Sequence, residues 1–311
     1  MDKYQALLYL LLVCASVLAV IIGVRRIMRN RLIKETQNYF KTFTLLKDLN
    51  SFAETAPKIH LKGLKIKHAV LCLYGWSGST ATFSYLCDPF QKAGVAYYIP
   101  QIAGYGLGDL HLISHVSYRD WLRDALHAFD VLAACAEKVS IIGFSTGGLL
   151  SLYVAAQRPV HQLILAAPFI LSLERDAYFK RALQKRGLYI VLKWLFPVLR
   201  KPKREIPNVT DGAFDLEGLK EEFKYPCMPM EAFKELSDLQ DFIDISQVRC
   251  FQLSVLYGEL EKTVDMPKVL AVLNQHAIPF KTYPFKHSGH NIFHGADKDE
   301  VFKQLIDILR R

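Results

Sequence analysis

The stretch Gly143-Phe144-Ser145-Thr146-Gly147-Gly148 is where residue types and spacing in this chain point most directly to chemistry. An apolar, β-rich run at 139–142 precedes it and a helical pattern at 149–157 follows, so Ser145 falls on a strand–turn–helix junction. A serine on so sharp a turn needs very small neighbours two residues away on either side, and Gly143 and Gly147 supply them. The turn lifts the hydroxyl clear of the sheet, and the N-terminus of the following helix favours the negative charge that develops when it attacks a carbonyl. Ser145 is therefore the candidate nucleophile.

A serine hydroxyl is weakly nucleophilic and needs a base, which in turn needs an acid to orient it. For a serine of this kind the chain order is serine, acid, histidine. The chain contains ten histidines. His290, in His287-Ser288-Gly289-His290-Asn291 after the β-rich run 281–284, is the best placed, with His287 its rival. The acid is expected after the run 251–257, in Gly258-Glu259-Leu260-Glu261-Lys262-Thr263-Val264-Asp265. Glu261, three residues past the glycine that ends the run, is preferred, with Asp265 and Glu259 as alternatives. Two backbone N–H groups should hold the oxyanion. Thr146, next to the nucleophile, is one donor, and Trp76, in the loop Tyr74-Gly75-Trp76-Ser77-Gly78-Ser79, is the other.

These positions require a scaffold, and the pattern beyond residue 60 provides one. Short apolar runs at 69–74, 96–101, 139–144, 162–167, 251–257 and 281–284 alternate with helical stretches such as 118–133, where Trp121, Leu122, Ala125, Phe129 and Leu132 recur at helical spacing. The alternation predicts an α/β fold with a mostly parallel, doubly wound sheet. About 80 residues, 168–247, interrupt the rhythm where one helix would suffice. Mostly helical in pattern and carrying Pro197, Pro202, Pro207, Pro226 and Pro229, they read as a cap inserted over the strand ends, where such folds bind ligands.

In order and spacing, the Tyr74–Ser79 loop, the Gly143–Gly148 turn, Gly258-x-x-Glu261-x-x-Val264 and Ser288-Gly289-His290 resemble the α/β-hydrolases. The branch most similar is that of monoacylglycerol lipases, lysophospholipases and bacterial carboxylesterases. Ile99-Pro100-Gln101-Ile102-Ala103-Gly104-Tyr105-Gly106 and Ser117-Tyr118-Arg119-Asp120-Trp121 also resemble its loop after the next strand. The resemblance covers residues 65–311 and implies a serine esterase or lipase that works through an acyl-enzyme. Two positions depart from the family pattern. Tyr74-Gly75 stands where the family has His-Gly, which changes how the loop is braced. Glu261 stands where it has Asp, which moves the carboxylate by one methylene.

The N-terminus adds a membrane. Residues 5–24 hold no charge and as a helix would span about 30 Å, the thickness of the hydrocarbon layer. Arg25 and Arg26 follow where a cleaved leader would carry small residues, so an uncleaved single-pass anchor is expected at 1–25. One lysine precedes the segment and Arg25, Arg26, Arg29, Arg31 and Lys34 follow it, which predicts that the folded domain faces the cytoplasm. A juxtamembrane linker at 26–60, helical from Asn30 to about Leu49, would join it to a core at 61–167 and 248–311.

The remaining composition narrows the partners. Net charge is +9, but its clusters lack the interleaved base-reading residues of a nucleic-acid site, so no nucleic acid is expected. Six dispersed cysteines suggest neither a zinc site nor a disulfide framework, and no metal or cofactor is implied. Residues 178–204 mix Lys180, Arg181, Lys185, Arg186, Lys193, Arg200, Lys201, Lys203 and Arg204 with Tyr178, Phe179, Tyr189, Trp194 and Phe196. Such a segment suits anionic headgroups, with a solvated cap helix packed on the core as the plainer alternative. The expected substrate is an amphiphilic carboxylic ester such as a monoglyceride, a lysophospholipid or a short acyl ester. A thioesterase or acyltransferase with the same triad, or a non-catalytic binding protein on this fold, are the alternatives.

Overall fold

Seven strands form the central sheet of the computed structural model, which describes residues 3–46, 50–61, 63, 66–201, 223–276 and 278–311. In chain order they are β1 (Lys58–His60), β2 (Ile66–Leu73), β3 (Ala96–Ile99), β4 (Ala136–Phe144), β5 (Val160–Ala166), β6 (Cys250–Gly258) and β7 (Phe280–Phe285). Across the sheet they run β7-β6-β5-β4-β2-β3-β1, parallel throughout except for β1 against β3. The six expected runs all appear as strands. β1, at the end of the stretch expected as linker, has only three residues, too few to show a period in sequence.

The inner strands are apolar over consecutive residues because both faces of the sheet are covered. The last six residues of β4 are all buried, as are the last five of β2 and of β5. Helix α1 (Lys3–Phe40) precedes the sheet, and α2 (Ser84–Lys92) and α3 (Tyr118–Ala133) flank it. Helix α3 begins with a capping box between Ser117 and Asp120 and buries Trp121, Leu122, Ala125, Ala128, Phe129 and Leu132. Next comes α4 (Thr146–Gln157), whose residues are buried on nearly every side and show no amphipathic stripe.

Between β5 and β6 lies the inserted segment. It contains α5 (Glu174–Gln184), α6 (Arg186–Leu195) and α7 (Met230–Phe242). It also contains an antiparallel strand pair, Val198–Arg200 with Cys227–Pro229, that the helical pattern did not announce. Pro202, Pro207, Lys203 and Arg204 lie outside the described residues. The chain closes with α8 (Met266–Gln275) and α9 (Lys298–Leu309).

Helix α1 is one continuous element of 38 residues, long and apolar enough to cross a membrane, and none of its most apolar stretch is buried. It ends at Phe40 rather than near Leu49, and a short pairing of Leu45–Leu46 with Ser51–Phe52 follows. Its second half docks on the inserted segment. Glu35 pairs with Arg200, the Thr36 hydroxyl lies 2.8 Å from Cys227 Sγ, and the Tyr39 hydroxyl accepts from the Lys224 N–H. Phe40 is buried in an aromatic cluster, stacked on Phe223 at 5.6 Å and edge-on to Tyr225 at 5.6 Å.

Candidate active site

Register fixes where the loops meet. Leu73 pairs with Gly143 and Phe144 with Ala166, so β2, β4 and β5 end at one level and release their loops at the same edge. Ser145 stands at that edge. Its φ of 54° is in the left-handed region, which costs a non-glycine residue about 1–3 kcal/mol. The turn is held by three backbone hydrogen bonds: Ser145 N–H to Ala166 O (2.9 Å), and Gly148 N–H (2.9 Å) and Phe169 N–H (3.0 Å) to Ser145 O. The flanking glycines are obligatory. A Cβ on Gly143 would lie 2.6 Å from Gly147 O, and one on Gly147 would lie 1.9 Å from Leu73 O.

The structure brings Ser145, His290 and Glu261 together. His290 Nε2 lies 2.9 Å from Ser145 Oγ, and His290 Nδ1 lies 2.6 Å from Glu261 Oε2. The Glu261 Oε1 accepts from the Thr263 and Val264 N–H groups at 2.6 and 3.2 Å. Only 4% of either the His290 or the Glu261 side chain is accessible, so the pair is screened from water. Burial alone would raise the Glu261 carboxyl. The hydrogen bond and positive charge offered by His290, with the two backbone N–H groups, outweigh it and hold the group below the ordinary glutamate value. Glu261 is thus anionic where it meets the imidazole.

The rival residues serve elsewhere. Asp265 caps α8, accepting from the Lys268 N–H at 3.3 Å, and forms an ion pair with the Lys268 ammonium at 3.1 Å. Glu259 is exposed. His287 is exposed as well, and its backbone N–H donates to Asp297. The extra methylene of Glu261 is absorbed by its loop, in which Glu261 N–H donates to Gly258 O at 3.2 Å and Leu260 N–H to Ser288 O at 3.1 Å.

The loop that carries Trp76 lies against the nucleophile. A Cβ on Gly75 would sit 3.1 Å from Ser145 Cβ. The loop turns tightly, with Gly78 N–H donating to Gly75 O at 3.0 Å and Ser77 at a φ of 58°. The Tyr74 phenol oxygen accepts from the Ile102 N–H at 2.8 Å, bracing the loop against the one that follows β3. Thr146 opens α4, so its N–H has no partner within the helix. Of the candidate oxyanion donors, Thr146 follows Ser145 directly and Trp76 follows Gly75, the residue packed against it.

Three contributors were not legible beforehand. Phe144 walls the histidine, its ring 5.2 Å from that of His290 and 5.6 Å from that of Phe293. Its only sequence signal is that the residue before the serine is large and aromatic. Lys201 donates to the Ser77 hydroxyl, and Tyr225 N–H donates to Ser77 O at 3.3 Å, so the inserted segment fixes the Gly75–Gly78 turn. Nothing local to either residue points to a partner so far away along the chain.

Known proteins share this fold. The family model for serine aminopeptidase, S33, matches residues 65–215. A carboxylesterase of Bacillus subtilis (strain 168) is 22% identical over 246 residues, 78% of this chain and 92% of its own length. Among solved structures, one of the metagenome-derived lipolytic enzymes LipS and LipT superposes with a TM-score of 0.68 at 18% identity, over 83% of this chain and 98% of that one. The monoacylglycerol lipase of Paleococcus ferrophilus superposes with a TM-score of 0.59 at 15% identity, over 81% of this chain and 98% of its own. The chain has the α/β-hydrolase fold with a mixed central sheet. In sequence it is similar to serine hydrolases named as a carboxylesterase and a monoacylglycerol lipase.

Proposed function

We propose that this chain is a membrane-tethered hydrolase of amphiphilic carboxylic esters, with Ser145 as nucleophile, His290 as base and Glu261 as the orienting acid. The observation that carries the proposal is the unbroken line from Ser145 Oγ through the imidazole to the Glu261 carboxylate, at 2.9 and 2.6 Å. His290 Nε2 takes the hydroxyl proton as Ser145 attacks the ester carbonyl, while Glu261 steadies the imidazolium. The Trp76 and Thr146 N–H groups hold the oxyanion. The imidazolium returns the proton to the departing alcohol, leaving an acyl-Ser145, and a water activated by the same histidine releases the acid.

An amphiphile is favoured by what surrounds this chemistry. Helix α1 supplies an exposed apolar stretch of membrane-spanning length, read as the single-pass anchor with the folded domain on the cytoplasmic side. The cap helix α6 leaves Leu188, Ile190, Val191 and Trp194 exposed, with Lys185 and Arg186 at its start, a composition suited to a bilayer surface.

The test is hydrolysis of a monoacylglycerol and of short-chain p-nitrophenyl esters by the full chain in mixed micelles. Release of fatty acid, lost in Ser145→Ala, supports the reading. Turnover of acyl thioesters alone, or acyl transfer to an added alcohol without hydrolysis, would replace it with the thioesterase or acyltransferase alternative.

A further inference from the structure

A groove of about 540 Å³ opens between α1 and the cap, away from the residues assigned to catalysis. Arg25, Arg29 and Arg31 enter it from the helix, and Arg200 enters from the cap strand opposite. The nearby acid that answers them is Glu35, which pairs with Arg31 at 3.6 Å and with Arg200. Among the described residues, four cations face one carboxylate, which leaves a positive excess.

Arg25 is the residue of interest. Its guanidinium carbon lies 5.4 Å from the Trp194 ring centroid. Its Nε is buried and has no hydrogen-bond partner among the described residues. A buried donor without an acceptor costs about 1–3 kcal/mol, so an acceptor oxygen brought against this Nε would recover that cost. Guanidinium groups match phosphate oxygens in geometry as well as charge.

The rest of the groove restricts which phosphate fits. Leu32, Leu195 and Phe196 give it an apolar lining, which an inorganic ion would leave unused. Arg25 is also the first charged residue after the uncharged stretch 5–24. If α1 spans a bilayer, the groove begins where hydrocarbon gives way to headgroups.

We propose that this groove binds one anionic phospholipid of the leaflet in which the membrane stretch of α1 ends. Arg25 and Arg200 hold its phosphate, and its glycerol and upper acyl carbons lie on Leu195 and Phe196 at the bilayer side. The inference rests on the reading of α1 as an anchor. It concerns a resident lipid, distinct from the ester hydrolysed at Ser145. Basic pockets at the cytoplasmic face of membrane helices hold anionic headgroups by this combination of charge and apolar contact.

The experiment uses the full chain, delipidated in a neutral detergent and examined by native mass spectrometry with phosphatidylglycerol, phosphatidylcholine or inorganic phosphate added. The expected result is one retained phosphatidylglycerol, no retained phosphatidylcholine, and no displacement by millimolar phosphate. Arg25→Gln combined with Arg200→Gln should lower retention at least about tenfold (about 1.4 kcal/mol). Lys92→Gln with Lys303→Gln, the same change of charge on α2 and α9 away from the groove, should leave it intact.

Should the groove variant fold poorly, quenching of Trp194 in the wild type by brominated lipids replaces it, with Trp194→Phe as reference. Brominated phosphatidylglycerol should quench more than brominated phosphatidylcholine. Equal binding or quenching by the two lipids, or displacement of the lipid by phosphate alone, overturns the proposal. Alkaline extraction of membranes tests the anchor separately. A chain released by carbonate that still selects phosphatidylglycerol in micelles refutes the anchor, not the groove.

Discussion

Glu261 divides its carboxylate between two tasks, one oxygen facing His290 Nδ1 at 2.6 Å and the other accepting two backbone N–H groups of its own loop. The loop hydrogen bonds fix the acid, and the acid fixes the tautomer and tilt of the imidazole. Glu261→Gln keeps an oxygen for the loop but removes the charge that steadies the imidazolium. Its kcat for ester hydrolysis should fall by about 10³–10⁴, with circular dichroism unchanged. Glu261→Asp retains the charge but draws it back by a methylene, so a smaller fall is expected. A Gln variant within threefold of wild type would exclude Glu261 from the catalytic relay.

Gly75 lies so near the nucleophile that a methyl group there must displace something. Its carbon would stand 3.1 Å from Ser145 Cβ and 3.4 Å from the Phe144 ring, contacts that yield with a shift of a few tenths of an ångström. Gly75→Ala should therefore fold but lose roughly 10–100-fold in kcat, because small misplacements of reacting groups are costly. Gly147→Ala is different in kind, since the methyl would meet the Leu73 carbonyl oxygen at 1.9 Å. Thermal unfolding should show it destabilised by about 3 kcal/mol or more.

His68 should give the fold an acid-sensitive component remote from the site. Burial first, then the His161 and Lys138 charges, lower it from 6.5 to about 4, and its Nε2 lies 2.7 Å from Ser140 Oγ. Between those values the unfolded chain takes a proton that the folded chain refuses. This contribution to stability is complete above 6.5 and is lost progressively as pH falls toward 4. His68→Gln should flatten the fall in melting temperature across that interval. An unchanged slope would show that other groups set it.

The two halves of α1 should behave differently when removed. Deleting residues 1–24 takes away an exposed apolar stretch and leaves the contacts of Glu35, Thr36, Tyr39 and Phe40 in place. That shortened chain should unfold at nearly the temperature of the full chain in detergent. Adding Phe40→Ala empties the space among Phe52, Phe223 and Tyr225 and should cost about 3 kcal/mol. Calorimetry of the two shortened forms makes the comparison.

Most of the sheet, and the positions of the three residues that meet at Ser145, could be read directly because each leaves a local trace. β4 and β5 are continuous apolar runs, the elbow is punctuated by glycines, and Glu261 and His290 follow strands at short range. What escaped reading lacks such a trace. β1 is three residues on an edge, held by its partner rather than by its own pattern. The pair Val198–Arg200 and Cys227–Pro229 joins strands separated by a long intervening segment. The reach of Lys201 to Ser77, and of α1 to the cap, depends on tertiary packing that no spacing encodes.

Activation of Ser145 through His290 and Glu261 is the central claim, and covalent labelling by a fluorophosphonate tests it most directly. The wild type should label rapidly, Ser145→Ala not at all, and His290→Ala at no more than about a thousandth of the wild-type rate. A folded wild type that does not react, or a Ser145→Ala chain that labels as fast as wild type, would contradict it.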